Sequence, residues 1–176
     1  MSLVTLNLNG YFPLSTVSAF VSRLEMPSVT MTSLSLEKTL IDHSNLPELL
    51  LLFRSLSGVT HFALRVPGPT LQNDVLEALT LPASASGNLN ALAGEIIFPA
   101  LQHLELALGR YNESAVDVAT VADLFESRLP AANAQGQVPG RCLVTAKLSS
   151  SGDSWREDED WDRLVVLEER GILTLG

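Results

Sequence analysis

The chain has little cysteine, few aromatic residues, a shortage of basic residues and no long apolar run. Cys142 is the single cysteine, which excludes an internal disulfide and favours a reducing compartment; we interpret its thiol as a small core filler. The longest apolar stretch, Leu49–Phe53, is far too short to span a bilayer, and the first residues lack the basic segment and apolar run of a signal peptide. We therefore expect a cytoplasmic or nuclear protein with no membrane partner.

The shortage of basic residues bears on the class of partner. Eleven Lys and Arg residues oppose twenty Asp and Glu residues, for a formal net charge of −9. This charge repels a phosphate backbone, and no stripe of Lys and Arg residues counteracts it. We expect no nucleic-acid partner.

Aromatic residues make up 6% of the chain, whereas apolar residues make up 46%. The high apolar content excludes a disordered chain, and the shortage of aromatic residues predicts an aliphatic core. A chain of 176 residues can bury such a core in one unit, so we expect a single domain over residues 1–176.

An apolar phrase with the spacing L-x-x-L-x-L occurs five times. Other apolar residues replace leucine at some anchor positions, and the phrase begins at Leu3, Met31, Val59, Leu101 and Leu143. The starting positions are 28, 28, 42 and 42 residues apart. The shorter interval lies in the range of leucine-rich repeats, and the longer interval equals such a unit with about fourteen extra residues. The chain therefore has an internal repeat.

Between the phrases the apolar period changes from that of a strand to that of a helix. Helices are predicted over residues 15–26, 46–57, 71–81, 117–129 and 158–170, with loops over residues 82–94 and 131–140 and a short final strand over residues 172–175. The second helix contains the run Leu49–Phe53, which is apolar on nearly all sides, so we expect this helix to be central and well covered. The order of elements predicts parallel strands joined by crossover helices.

A closed barrel or a doubly wound sheet would show the same order of elements. The strands of those folds are buried on both faces and read as continuous apolar runs. In this chain polar residues alternate with the anchors, as Thr5, Asn7 and Asn9 do in the first phrase. One polar face and one buried face favour a curved solenoid.

The segment Phe98–Leu106, with the sequence FPALQHLEL, resembles the opening of repeats in leucine-rich-repeat proteins and is similar to the C-terminal repeat regions of fungal F-box proteins. The segments Leu124–Leu129 and Leu167–Ile172 resemble the helix ends of those repeats. The resemblance implies an α/β leucine-rich-repeat solenoid of about five strand–helix units, with a parallel sheet on the concave side and helices on the convex side. It also implies a protein-interaction module, the substrate-recognition region of an F-box-like ubiquitin ligase subunit and the C-terminal part of a longer parent protein.

Two features depart from the pattern of that family. The first phrase begins at Leu3, so no helical F-box segment precedes it in this sequence, and the consensus Asn or Cys after the strand is missing from most repeats. Terminal repeats of solenoids normally need a polar cap. We therefore expect self-association through an uncapped terminal repeat, or a missing N-terminal partner.

If the anchors point inward, the residues between them form rows across the opposite face, because neighbouring strands lie about 4.8 Å apart. The predicted rows are Thr5, Ser33, His61, His103 and Thr145; Asn7, Ser35, Ala63, Glu105 and Lys147; and Asn9, Glu37, Arg65, Ala107 and Ser149. Such a mixed polar face suits a protein partner, and the alternative is a solvated sheet face that binds nothing. The candidate partner-binding residues on the concave face are Asn7, Ser35, Glu37, His61, Arg65, His103, Glu105, Thr145 and Lys147.

Two further patterns have a functional and a structural interpretation. His61 and His103 fall in one row on adjacent strands, but a third ligand is not evident, so we expect no metal site and no cofactor. The acidic run Asp153–Trp161 contains two tryptophans. It is either an interaction tip with a tryptophan anchor or a loop and helix start with Trp161 packed on the last repeat.

The spacings do not assemble a Ser/His/Asp arrangement for nucleophilic catalysis, and neither a GxGxxG fingerprint nor a P-loop occurs. We therefore expect protein binding and no enzymatic activity. The alternative is a small α/β enzyme or ligand-binding domain with an unrecognised site.

Overall fold

The strands of the repeat phrases form one parallel sheet. The computed structural model describes residues 2–9, 19, 29–37, 46–65, 73–81, 96–108, 116–130, 140–150 and 153–176. These residues have an α/β fold with a six-stranded sheet and four α-helices. Neighbouring strands are parallel, and their order in the sheet is their order in the chain. Parallel neighbours require crossover connections, as predicted.

The bounds of the elements agree with most of the predicted pattern. The strands are β1 (Ser2–Asn9), β2 (Val29–Glu37), β3 (His61–Arg65), β4 (His103–Leu108), β5 (Thr145–Ser150) and β6 (Leu173–Leu175). The helices are α1 (Leu46–Ser55), α2 (Asn73–Leu79), α3 (Val118–Ser127) and α4 (Trp161–Glu169), with a 3₁₀ helix over Asp153–Glu157. Of the predicted helix over residues 15–26 the structure describes Ala19 alone, and the predicted loops over residues 82–94 and 131–139 lie outside the described residues.

The predicted anchors form the buried face of the sheet. In β2 to β5 the second and third anchors of each phrase are at most 4% exposed: Leu34, Leu36, Phe62, Leu64, Leu104, Leu106, Ala146 and Leu148. The first anchors Val59, Leu101 and Leu143 lie just before their strands and are equally buried. Leu6 and Leu8 of β1 are partly buried against the same core. Burial of this aliphatic layer against the helices is the main stabilising contribution to the fold.

Three of the few aromatic residues meet in the core beside β3. The ring of Phe53 in α1 lies 5.2 Å from that of Phe62 in β3 and 4.9 Å from that of Phe98, and the rings of Phe62 and Phe98 are 4.9 Å apart. Phe98 has a positive φ of 50°, and its carbonyl accepts a hydrogen bond from the Leu101 amide at 3.1 Å. This turn lies before β4, and it supports the buried ring at the start of the repeat phrase.

Polar side chains join α2 and α3 at both ends. Asp117, the N-cap of α3, accepts a hydrogen bond from the Thr120 amide at 2.6 Å. Its carboxylate also accepts from Asn73 Nδ2 at 2.8 Å, and the Asn73 side-chain oxygen accepts from the Asp117 amide at 3.2 Å. At the opposite ends, the Leu81 amide donates to the Ser127 hydroxyl at 3.1 Å. The two helices therefore lie side by side and run parallel.

Arg128 is fully buried just after α3. Its guanidinium donates from Nε to the Leu79 carbonyl at 2.7 Å, from Nη2 to the same carbonyl and to the Ile97 carbonyl at 2.8 Å, and from Nη1 to the Phe98 carbonyl at 3.1 Å. Burial lowers the pKa of Arg128 to about 10, which leaves the side chain charged at neutral pH. The charged fork thus ties the last turn of α2 to the segment that leads into β4.

Two predictions about the helical segments are wrong in part, and one of the two interpretations of the acidic run is excluded. Leu51 in α1 is 65% exposed, so α1 is covered on one side and not all round. Trp155 in the 3₁₀ helix is 1% exposed, which makes it a core residue and rules out an exposed tryptophan anchor at this position. The helix predicted from residue 158 begins at Trp161, which packs partly buried against the core as the structural interpretation predicted.

The described helices are at most ten residues long, and none of them could span a membrane.

Candidate functional site

The polar residues between the anchors lie on the sheet face opposite the buried leucines, in the predicted register. Cα pairing gives a first row of Thr5, Ser33, His61, His103 and Thr145, a second row of Asn7, Ser35, Ala63, Glu105, Lys147 and Thr174, and a third row of Asn9, Glu37, Arg65, Ala107 and Ser149. The residues of these rows are exposed or half-buried. We call this surface the open face. The predicted rows are confirmed, and the binding of a partner to them stays a prediction.

Backbone hydrogen bonds fix this register just before the strands begin. The Thr60 amide donates to the Thr32 carbonyl at 2.9 Å, the Gln102 amide to the Thr60 carbonyl at 2.9 Å, and the Val144 amide to the Gln102 carbonyl at 2.7 Å. A slip of one residue would move the leucines of a strand to the open face. The burial of the anchors therefore enforces the alignment of the polar rows.

The imidazole rings of His61 and His103 stack on each other, with centroids 4.1 Å apart and planes inclined by 26°. His61 Nδ1 lies 2.8 Å from Thr60 Oγ1, and His103 Nδ1 lies 2.7 Å from Thr145 Oγ1. The Thr60 hydroxyl also lies 3.2 Å from the Thr32 carbonyl, so it either donates to that carbonyl and accepts from Nδ1, or donates to Nδ1. The threonine hydroxyls therefore hold both imidazole rings through Nδ1.

The stacked arrangement disfavours a positive charge on His61. Partial removal from water lowers the pKa of His61 below its ordinary value, and the neighbouring His103 lowers it further. Two positive charges about 4 Å apart repel each other by roughly 1 kcal/mol even in bulk water. The lowered pKa favours the uncharged form of His61 at neutral pH in the free protein.

Glu105 lies between two cations in the middle of the open face. Its Oε2 accepts a hydrogen bond from Arg65 Nη2 at 3.0 Å, and its Oε1 lies 3.5 Å from Lys147 Nζ. The hydrogen bond from Arg65 is the main cause that lowers the pKa of Glu105, and the charge of Lys147 adds to it. The Arg65 and Lys147 side chains are 45% and 53% exposed, so both cations remain accessible to a partner.

At one margin of the open face, the Glu37 carboxylate accepts a hydrogen bond from Asn9 Nδ2 at 2.9 Å. Glu37 also pairs in register with Arg65 on β3, and its charge contributes to a raised pKa of Arg65, although the hydrogen bond to Glu105 is the larger cause. The charged groups of the face thus form an alternating series of anions and cations across the strands.

Small side chains leave a shallow depression in the open face. It has a volume of about 360 Å³, and its lining includes Ser33, Ser35 and Ala63 together with the stacked histidines, Glu105 and Lys147. This volume is at the lower end of the range for small-molecule pockets, and such pockets enclose most of their ligand. The depression suits one or two side chains of a partner.

A second cavity, of about 810 Å³, lies on the helix side of the molecule. Its lining residues are Glu77, Thr80, Leu81, Thr120, Asp123, Glu126, Ser127 and Arg141.

Next to this cavity, Arg163 of α4 pairs with Asp123 at 2.5 Å, with Glu126 at 2.7 Å and with Asp160 at 3.0 Å. These carboxylates raise the pKa of Arg163. The ion pairs join α3 to α4 at the surface, and the sequence analysis missed them because they leave no periodic signal.

Cys142, His61 and His103 do not form a reactive or metal-binding cluster with other described residues. The half-buried Cys142 thiol donates to the Leu101 carbonyl at 3.1 Å, and burial raises its pKa, so the protonated, poorly nucleophilic form prevails at neutral pH. Among the described residues there is no group of three or more His, Cys, Asp or Glu side chains that could hold a metal ion.

Comparison with protein families, with curated proteins and with solved structures finds no match for this chain. The function of the chain is therefore inferred from the geometry of the open face. All nine candidate residues named from the sequence lie on this face, and the structure brings six of them together around the depression: Ser35, His61, His103, Glu105, Thr145 and Lys147.

Proposed function

We propose that this chain is a leucine-rich-repeat solenoid that binds a protein partner on its open face. The observation that carries the proposal is the register of the three polar rows, which cross consecutive parallel strands without interruption. Proteins built from stacked repeats present extended surfaces of this kind for recognition.

The strand order supports a solenoid over the two other folds with the same alternation of elements. A doubly wound sheet reverses its strand order at a switch point, whereas here the order from β1 to β6 follows the chain. A closed barrel would pair its first strand with its last, and the described β1 and β6 are not neighbours in the sheet.

The geometry of the open face supports a protein partner over a small substrate. The depression is shallow, and its charged groups are already paired with one another, as Glu105 is with Arg65 and Lys147. A broad surface of hydroxyls, imidazoles and paired charges offers hydrogen bonds over a large area, as the polar parts of protein interfaces do.

A finer proposal follows from the sequence resemblance. We propose that the partner is a substrate of an F-box-like ubiquitin ligase and that the chain acts in the cytoplasm or the nucleus as its substrate-recognition region. The support is the phrase Phe98–Leu106. Proteins captured by the chain should then fall in abundance when the chain is overproduced, and unchanged abundance would restrict the proposal to protein binding.

The substitution Ala63→Arg tests the use of the open face. Ala63 lies in the second row beside the depression, where a long charged side chain would obstruct a partner. The matched control is Val166→Arg, because Val166 is 50% exposed on α4 and away from the sheet. In affinity capture read out by mass spectrometry, we expect partners to be lost with Ala63→Arg and retained with Val166→Arg. Retention with both variants, each shown to be folded by circular dichroism, would refute the proposal.

A further inference from the structure

The centre of the open face differs in charge balance from the whole chain. Acidic residues outnumber basic ones by twenty to eleven in the sequence. On the exposed side of β3, β4 and β5, the charged residues are the two cations Arg65 and Lys147 and the one anion Glu105, and the same strands carry His61 and His103. Glu37 on β2 makes the charges of the complete face equal in number, so basic groups are in excess at its centre alone.

A partner that approaches the open face can contact the histidine pair. Both Nδ1 atoms lie within hydrogen-bond distance of threonine hydroxyls, so Nε2 is the nitrogen of each ring that a partner would contact. No carboxylate contacts either ring among the described residues. A carboxylate supplied by a partner would stabilise an imidazolium at this position by charge and by hydrogen bonding.

We propose that His61, His103, Arg65 and Lys147 bind an acidic segment of a protein partner, and that binding is coupled to the uptake of a proton by His61. This inference rests on the proposed function, because it names the chemistry of the partner that the open face recognises. An acidic segment in extended conformation presents carboxylates about 6.6 Å apart on one side, at every second residue, which matches the distance between successive rows along a strand, since these rows are also two residues apart.

Charge complementarity favours an acidic segment over a basic one. The one central carboxylate, Glu105, already accepts from Arg65 and lies beside Lys147, so a basic side chain would meet two cations and gain no free anion. An incoming carboxylate would meet two exposed cations, the Arg65 and Lys147 side chains, which carry several N–H donors each. The Glu37 carboxylate is at the margin and bonded to Asn9, so it leaves the centre accessible.

The groups that surround the rings determine the direction of the pH dependence. Ser33 lies on one side of the pair in the row and Thr145 on the other, and both are uncharged. Along the strands the nearest charges are those of Glu105 and Lys147, with Arg65 and Glu37 farther along. The pKa of His61 is lowered in the free protein, and a bound carboxylate raises it. Affinity should therefore rise as the pH falls, by up to about tenfold per pH unit for one proton taken up.

Fluorescence anisotropy with a labelled peptide of alternating Glu and Ser residues tests the inference. We expect binding to the complete chain to be about tenfold or more tighter at about pH 6 than at about pH 8, since histidine titrates in this range while Glu remains ionised. The double variant His61→Gln and His103→Gln should remove the pH dependence, and Arg65→Gln should weaken binding at both pH values. The control Arg54→Gln, which removes an exposed cation of α1, should leave the affinity unchanged.

Each other outcome has a definite meaning. Equal binding of a peptide of alternating Gln and Ser residues, or a pH dependence that survives the double histidine variant, would overturn the inference. Failure of the Glu peptide to bind at about pH 6 would overturn it as well. In these cases the proposed function would still stand if Ala63→Arg abolishes the capture of partners, and insensitivity of capture to Ala63→Arg would overturn both.

Discussion

Replacement of the buried Arg128 by methionine tests how the chain joins α2 to the start of β4. The guanidinium donates to three carbonyls, those of Leu79, Ile97 and Phe98. Methionine has a similar length and fills most of the space, but it donates no hydrogen bond. The Phe98 carbonyl keeps the Leu101 amide as a donor, so the substitution deprives the Leu79 and Ile97 carbonyls above all.

The size of the effect follows from two opposing contributions. A buried polar group left without a partner costs about 1–3 kcal/mol, and two carbonyls are affected. A buried charge is itself unfavourable, as the lowered pKa of Arg128, about 10, indicates. Methionine removes this charge, so the gain offsets part of the loss. We expect Arg128→Met to lower the free energy of unfolding by about 3 kcal/mol and Arg128→Lys by less, because one ammonium replaces part of the fork.

Urea denaturation followed by far-UV circular dichroism measures this loss. The slope of the free energy of unfolding against urea concentration shows whether the variant and the unmodified chain expose the same amount of surface when they unfold. The control is Arg54→Met at an exposed position of α1, which should change the free energy by no more than about 0.5 kcal/mol. If Arg128→Met were as stable as the unmodified chain, the carbonyls would not depend on the guanidinium, and the account of Arg128 as a structural link would be refuted.

Gly140 has a φ of +81°, and a Cβ at this position would lie 3.0 Å from the Leu81 side chain. Gly140→Ala should therefore lower the free energy of unfolding by about 2 kcal/mol or more. Gly171→Ala, at a φ of +70° in open space, should cost only about 1 kcal/mol, and equal losses by urea denaturation would contradict the packing argument. Asp117→Ala should cost about 1–2 kcal/mol through loss of the N-cap, and a melting temperature unchanged within error would contradict it. The lowered pKa of Glu105 means that its ion pairs stabilise the fold above the unfolded pKa and that this stability is lost as the pH falls through the folded pKa. The stability difference between the unmodified chain and Glu105→Gln should therefore shrink between about pH 7 and about pH 3, and a constant difference would show that the carboxylate charge does not matter.

The positions of the strands and the composition of the open face could be predicted from the sequence because both follow from a period of two. Once the second and third anchors of two phrases are aligned, the residues beside them have fixed neighbours, although a register shift between Val4 and Thr5 offsets the first anchors Leu3 and Met31 by one residue. The pairing of His61 with His103 and of Glu105 with Lys147 is therefore contained in the spacing. The stacking of the imidazoles is not, because it depends on side-chain torsions that Thr60 and Thr145 select through hydrogen bonds.

The sequence gives no comparable signal for contacts between a helix and the loops around it. Arg128 follows a helix and Trp155 lies in an acidic run, so the sequence does not indicate that either side chain belongs to the core. Both are nevertheless buried. Arg128 is buried because three backbone carbonyls converge on it, which is a property of loop conformation. Leu51 in α1 is exposed although it lies in an apolar run. Such a run does not reveal which side of the helix the neighbouring elements cover.

Arg128 contributes to the position of β4, which follows the first of the longer intervals between the phrases. The rows of the open face pass from the shorter interval, Ser33 to His61, to the longer one, His61 to His103, without a change of register. Both intervals therefore give the same alignment of the polar rows. Arg128 bonds to the Leu79 carbonyl at the end of α2 and to the Ile97 carbonyl before β4. A guanidinium that joins α2 to this segment helps to fix the start of β4, and with it the place of His103 beside His61. Loss of the fork should therefore disturb the open face as well as the core, so Arg128→Met should weaken partner capture at temperatures where the chain is still folded.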